Sequence, residues 1–113
     1  MSTKRRWDEV EGSMSESTLR KRFAAEWYRL YKHTVAGGEQ FVAHTEARTM
    51  HIVQGSCSVE CGAVVFLLVA GDILELDAGK YELKVPTGQS LEYINVYDLR
   101  QFPEFAEIYK PEK

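Results

Sequence analysis

The chain has 113 residues, 14 Lys and Arg against 17 Asp and Glu, a formal net charge of −3 and 44% hydrophobic residues. That length suits one domain whose core can hold without disulfide or metal staples. The mild acidity argues against a dedicated nucleic-acid binder, and no apolar run approaches the ~20 residues of a membrane span. Two cysteines, Cys57 and Cys61, are too few for a secreted disulfide framework, so the expected setting is cytoplasmic.

In chain order, Lys4-Arg5-Arg6 is followed by Trp7 and the acidic Asp8, Glu9 and Glu11, not by the apolar stretch of a secretion signal. Residues 1–14 are predicted to be a poorly ordered, solvated arm. A short helix is predicted over 15–25. Ser15 or Ser17 would cap it, Glu16 would sit near its positive end, and Leu19 and Phe23 would share one face.

From Trp27 the period changes to two, with aromatic and β-branched residues through Val35. Strands are predicted over 27–35, 40–44, 49–53, 56–60, 63–69, 73–76, 81–85 and 91–99. Gly, Pro or Asp punctuates them, at Gly37-Gly38, Gly55, Gly62, Gly71-Asp72, Asp77-Ala78-Gly79 and Pro86-Thr87-Gly88. One helical turn is expected near residues 104–108. Eight short strands in about 75 residues is the pattern of an all-β sandwich or barrel. The predicted organisation is an arm with a short helix (1–26), a barrel (27–99) and a tail (100–113).

The glycine spacing resembles the two motifs of the cupin family. Gly38 is followed by five residues and His44, and Gly55 comes after a strand. Gly71-Asp72 then leads through Asp77 and Gly79 to Glu82. The resemblance covers residues 27–99 and implies a double-stranded β-helix, or jelly-roll, barrel with a short N-terminal helix before it. It sets the family's metal-ligand positions on His44, Glu46, Arg48 and Glu82. Only His44 keeps its residue type, and Asp77 stands where the second motif has proline.

Strand alternation would put His44, Glu46 and Arg48 on one face, lining the cavity, with Glu82 approaching from another strand. His44, Glu46 and Glu82 are then candidate catalytic residues, His44 and a Glu handling protons. Arg48 and Asn95 are candidate ligand-binding residues, Arg48 gripping an anion in two-pronged fashion. Binding of a small polar or anionic molecule without cofactor is the leading reading, and the resemblance also allows metal-independent acid–base chemistry of an isomerase or cyclase.

A divalent metal on His44, Glu46 and Glu82 is the alternative, as in a cupin oxygenase or isomerase. Against it, a fixed cation such as Arg48 4 Å from a metal costs ~4 kcal/mol per unit charge at an effective dielectric of 20. An ion pair of Arg48 with Glu46 or Glu82 would be a purely structural outcome. His51, out of phase with His44 and Arg48, is expected on the opposite face. His33 is expected at a strand end and exposed. Asn95 is left open as inward or outward, and Tyr28, Tyr31, Tyr93 and Tyr97 are expected mostly to pack.

Two features concern partners. Val64, Phe66 and Leu68 would face one way, and Val65, Leu67 and Val69 the other. The second set needs cover from the N-terminal segment or another subunit, and a homodimer is the expectation. Residues 1–32 also carry eight Lys and Arg against five Asp and Glu, and the remainder six against 12. A basic arm on an acidic barrel leaves a third reading open, a non-catalytic module binding a macromolecule through Lys4-Arg5-Arg6 and Arg20-Lys21-Arg22.

Overall fold

Alternating inward and outward side chains build the molecule, a computed structural model describing residues 2–102 and 104. Among these, nine strands pair antiparallel in two sheets. They are β1 (Thr3–Arg6), β2 (Tyr28–Val35), β3 (Gln40–Thr45), β4 (Arg48–Gln54), β5 (Ser56–Cys61), β6 (Val64–Val69), β7 (Asp72–Leu76), β8 (Gly79–Lys84) and β9 (Leu91–Asp98). One sheet has the order β1-β7-β4-β9-β2, the other β3-β8-β5-β6. The expected strands are all present within one or two residues. The helical turn expected near 104–108 falls on residues that, Glu104 aside, lie outside those described.

The two sheets enclose one core. Met50 and Ile52, Leu74 and Leu76, and Leu91 and Tyr93 line it from the first sheet. Cys57, Val59, Leu68, Tyr81 and Leu83 line it from the second. The chain passes between sheets at tight corners. At Gly55, φ is +88° and a Cβ would lie 2.4 Å from the Ser90 carbonyl oxygen, so only glycine fits. Cys57 and Cys61 are both free, and burial pushes the Cys57 thiol up to about 12.

The first sheet is apolar on its outer face as well. Ile73, Ile94 and Val96 point there, under Trp7, Leu19, Phe23 and Met14. Helix α1 (Glu16–Arg22) supplies Leu19, which is fully buried and worth roughly 2 kcal/mol. Ser15 caps the helix by accepting from the Thr18 amide, and the Thr18 hydroxyl accepts from the Ser15 amide.

The N-terminal residues correct the expectation of a solvated arm. Thr3–Arg6 is an edge strand in register with β7, Thr3 opposite Glu75 and Arg6 opposite Asp72. Arg6 pairs with the buried Asp72 at 2.8 Å, and Arg5 with Glu75 at 3.1 Å. Lys4 Nζ donates to the Leu67 carbonyl at 3.3 Å. Arg20 is held by Glu16 at 3.0 Å, and Arg22 lies over the Trp7 ring, 3.8 Å from its centroid. The basic residues that sequence reading offered to a macromolecule are thus largely engaged within the fold.

His51 lies in this second layer, on the outer face as expected, with the Trp7 and Phe23 rings edge-on at 6.2 and 5.6 Å. Neither ring nitrogen makes a hydrogen bond of normal geometry. Desolvation pulls its pKa down to about 4; backbone groups of Ile94 and Thr49 resist the drop, and the Arg5 and Arg22 charges add to it. A depressed histidine keeps the fold intact while neutral and opposes it once charged. Stability is therefore present above pH 6.5 and falls as pH drops toward 4. His51→Phe keeps the ring and removes the proton site. Urea titrations across that range should give the native chain an acid-side loss larger by about 3 kcal/mol than that of the variant.

Candidate functional site

β2 forms one wall of a cleft at the open end of the barrel. Its register with β9 sets Arg29 opposite Tyr97, Tyr31 opposite Asn95, His33 opposite Tyr93 and Val35 opposite Leu91. Val35 and Leu91 are core residues, and the others share that side of the sheet, with Arg29, Tyr31 and His33 exposed, His33 as expected. β2 is an edge strand, and its outer half is open. The result is a cleft of about 430 Å³ lined by Arg29, Tyr31, His33, Glu46, Tyr97 and Leu99, together with Phe102 and Glu104. Tyr31 meets Tyr97 edge-on, centroids 5.7 Å apart. His33 stacks on Tyr93 at 5.0 Å.

Arg48 stands behind Tyr97. Its Nη1 donates to the Tyr97 hydroxyl at 2.8 Å and to the Thr45 hydroxyl, and its Nη2 donates to the Tyr81 hydroxyl at 2.5 Å. Nε is buried without a partner. Among the described residues no carboxylate pairs with this guanidinium, so the ion pair with Glu46 or Glu82 is absent. A half-buried cation held only by neutral hydroxyls keeps much of its field, which reaches His33. Burial first and Arg48 second hold the His33 pKa below its ordinary value. His33 is therefore neutral near pH 7 and able to accept a proton.

The expected site residues do not converge. β3 ends at Thr45, residues 46 and 47 carry the chain to the other sheet, and β4 starts at Arg48. That crossing resets the alternation. Arg48 points in, and His44, opposite Lys80, points out and is exposed. Glu46 sits in the crossing, at the cleft. Glu82 alternates with the inward Tyr81 and Leu83, lies on the outer face, and pairs with Lys84 at 3.8 Å. Asn95 points in and is 2% exposed, its Oδ1 unpartnered. His33 is not at a strand end but within β2.

A divalent metal does not fit this arrangement. His44 and Glu82 lie outside the barrel, and a guanidinium occupies the inward place. Among the described residues no three His, Cys, Asp or Glu side chains gather as a metal site.

No protein-family model matches the sequence, and no curated protein matches it. Solved structures do. A Cupin 2 conserved barrel domain protein from Salinispora arenicola superposes with a TM-score of 0.59 at 18% identity, covering 74% of this chain and 73% of that one. The chain has the cupin fold. A cupin 2 domain-containing protein from Halorhodospira halophila gives a TM-score of 0.61 at 15% identity, over 87% and 75% of the two chains. Salicylate 1,2-dioxygenase from Pseudoaminobacter salicylatoxidans gives 0.58 at 12% identity, over 93% of this cupin-fold chain and 28% of the enzyme. The fold that the motif resemblance implied is the fold observed. Among the described residues no helix is long and apolar enough to cross a membrane.

Sequence reasoning missed Arg29, Tyr31 and His33 as a group. The available signal was the period-two run Arg29, Tyr31, His33, Val35, matched in β9 by Tyr97, Asn95, Tyr93 and Leu91. Arg48 is expected to add little to folding, because its half-buried charge has no counter-charge among the described residues. Arg48→Met should leave the unfolding free energy from urea titration within about 1 kcal/mol of the native chain, or raise it. Tyr81→Phe, which strips an acceptor from the buried guanidinium, should cost about 1–3 kcal/mol.

Proposed function

We propose that this cupin-fold chain binds a small organic monoanion with an apolar body in the β2–β9 cleft, without a metal. The carrying observation is the Arg48–Tyr97 pair. The Tyr97 oxygen accepts from the guanidinium, so its own proton is left to donate, and Tyr97 lines the cleft. A carboxylate there would take the Tyr97 hydroxyl and the Arg29 guanidinium, in the field of Arg48, which no carboxylate among the described residues answers. Arg29 Nη1 is tied to the Glu26 and Tyr28 carbonyls at 2.6 and 2.9 Å, which fixes its head group.

The walls favour an aromatic or aliphatic body, since Tyr31, Tyr97, Leu99 and Phe102 line most of the space. Glu46 and Glu104 at the same cleft disfavour a dianion such as phosphate. Acid–base turnover of the bound anion would fall to His33, neutral and beside the cleft, rather than to His44. The metal-dependent reading has no converging ligand set behind it. The macromolecule-binding reading is weakened by the internal ion pairs of the basic clusters.

Thermal shift with benzoate and 3-phenylpropionate, each against its neutral amide, tests the proposal. The carboxylates should raise Tm by mass action and the amides should not. The rise should vanish in Arg29→Ala and Tyr97→Phe and persist in His44→Ala and Glu82→Gln. Equal response to the amides, or a response that survives in Tyr97→Phe and Arg29→Ala, overturns it.

A further inference from the structure

The outer face of the second sheet has no cover among the described residues. The N-terminal segment, one of the two covers that the sequence offered, lies on the other sheet. Val65, Leu67 and Val69 of β6 are left 54%, 71% and 52% exposed, in one column along the sheet edge. Three large aliphatic side chains in a line are more than scattered surface residues.

Edge-to-edge pairing is not open to this strand. The outward Leu67 carbonyl accepts from Lys4 Nζ at 3.3 Å, and the outward Val69 amide donates to Asp72 Oδ2 at 2.9 Å. These contacts block the edge as a template for another strand. What remains available is the face.

The registers order that face into rows. Gln40, Lys84, Ser58 and Leu67 lie side by side across β3, β8, β5 and β6. Val42, Glu82, Glu60 and Val65 form the next row. One row carries Lys84, which reaches Glu82 of the next row at 3.8 Å within the chain, and that row sets Glu60 directly opposite Glu82, so one cation faces two opposed carboxylates. A twofold axis lying in the interface, across the strands and midway between the rows, exchanges them. It sets Lys84 over Glu82 of the second copy, and Leu67 over Val65 of the second copy.

We propose that the chain forms a twofold homodimer through this face, the β6 aliphatic column packed on its own copy and Lys84 answering Glu82 across the axis. The interface is isologous, as a twofold requires. It leaves the β2–β9 cleft outside, because that cleft opens beside the first sheet and at the far edge from β6.

Sedimentation equilibrium of the full chain gives the test. A dimer is expected at about 100 µM. Leu67→Asp and Glu82→Lys should each weaken it at least about tenfold, with circular dichroism unchanged. The double exchange Glu82→Lys with Lys84→Glu restores the cross-axis pairing and should recover the dimer. A monomer at that concentration overturns the proposal, whatever else then covers the column, residues 105–113 or a different protein. So does a dimer indifferent to Leu67→Asp, and so does a double exchange that stays as weak as Glu82→Lys alone.

Discussion

The first sheet is apolar on both faces, and that constraint organises the rest. One face fills the barrel with Met50, Ile52, Leu74 and Leu91. The other exposes Ile73, Ile94 and Val96 unless something lies over it. The cover is the N-terminal segment, pinned at both ends of its path. At one end β1 is laced to β7 and Arg6 is bound to the buried Asp72. At the other, α1 seats Leu19 and Phe23 on the sheet. Removing a counter-charge from a buried carboxylate is costly, so Arg6 holds the cover as a latch more than as a surface decoration.

Covering that sheet from outside leaves its inner face free to be specialised at one end. β9 shows the division. Its even positions Ile94 and Val96 meet the cover, and its odd positions Leu91 and Tyr93 meet the core. Tyr97, further along the same inward face, meets the cleft. Arg48 joins the two regions, since its head group spans Tyr81 of one sheet and Tyr97 of the other. The polar end of the barrel is thus braced by hydroxyls around a cation, where an apolar plug would have packed more cheaply.

Much of the fold was legible because a strand's period and its terminating glycines are local. The run Ala63 to Val69 read as a strand with two apolar faces, and Phe66 and Leu68 do point in while Val65 and Leu67 point out. His51 was placed correctly by parity within one strand. The site was less legible because parity does not survive a sheet crossing. His44 and Arg48 are four apart and have the same parity, yet residues 46 and 47 move the chain between sheets and separate them. Arg29 and His33 were overlooked for a related reason. Their meaning depends on Tyr97 and Tyr93, more than 50 residues away, and only the pairing reveals it. β1 hid in the same way, because Lys4-Arg5-Arg6 looks like solvated chain until Asp72 and Glu75 lie beside it.

The Arg6–Asp72 latch also bears on the order of assembly. Its partners are 66 residues apart in sequence, and its corner is built around Gly71, where a Cβ would lie 2.6 Å from the guanidinium. β1 therefore cannot find its place until β7 has been made. Until then the outer face of β4, His51 included, is bare. Over that interval Lys4, Arg5 and Arg6 stay in water, and the latch closes only when Asp72 and Glu75 are there to meet them.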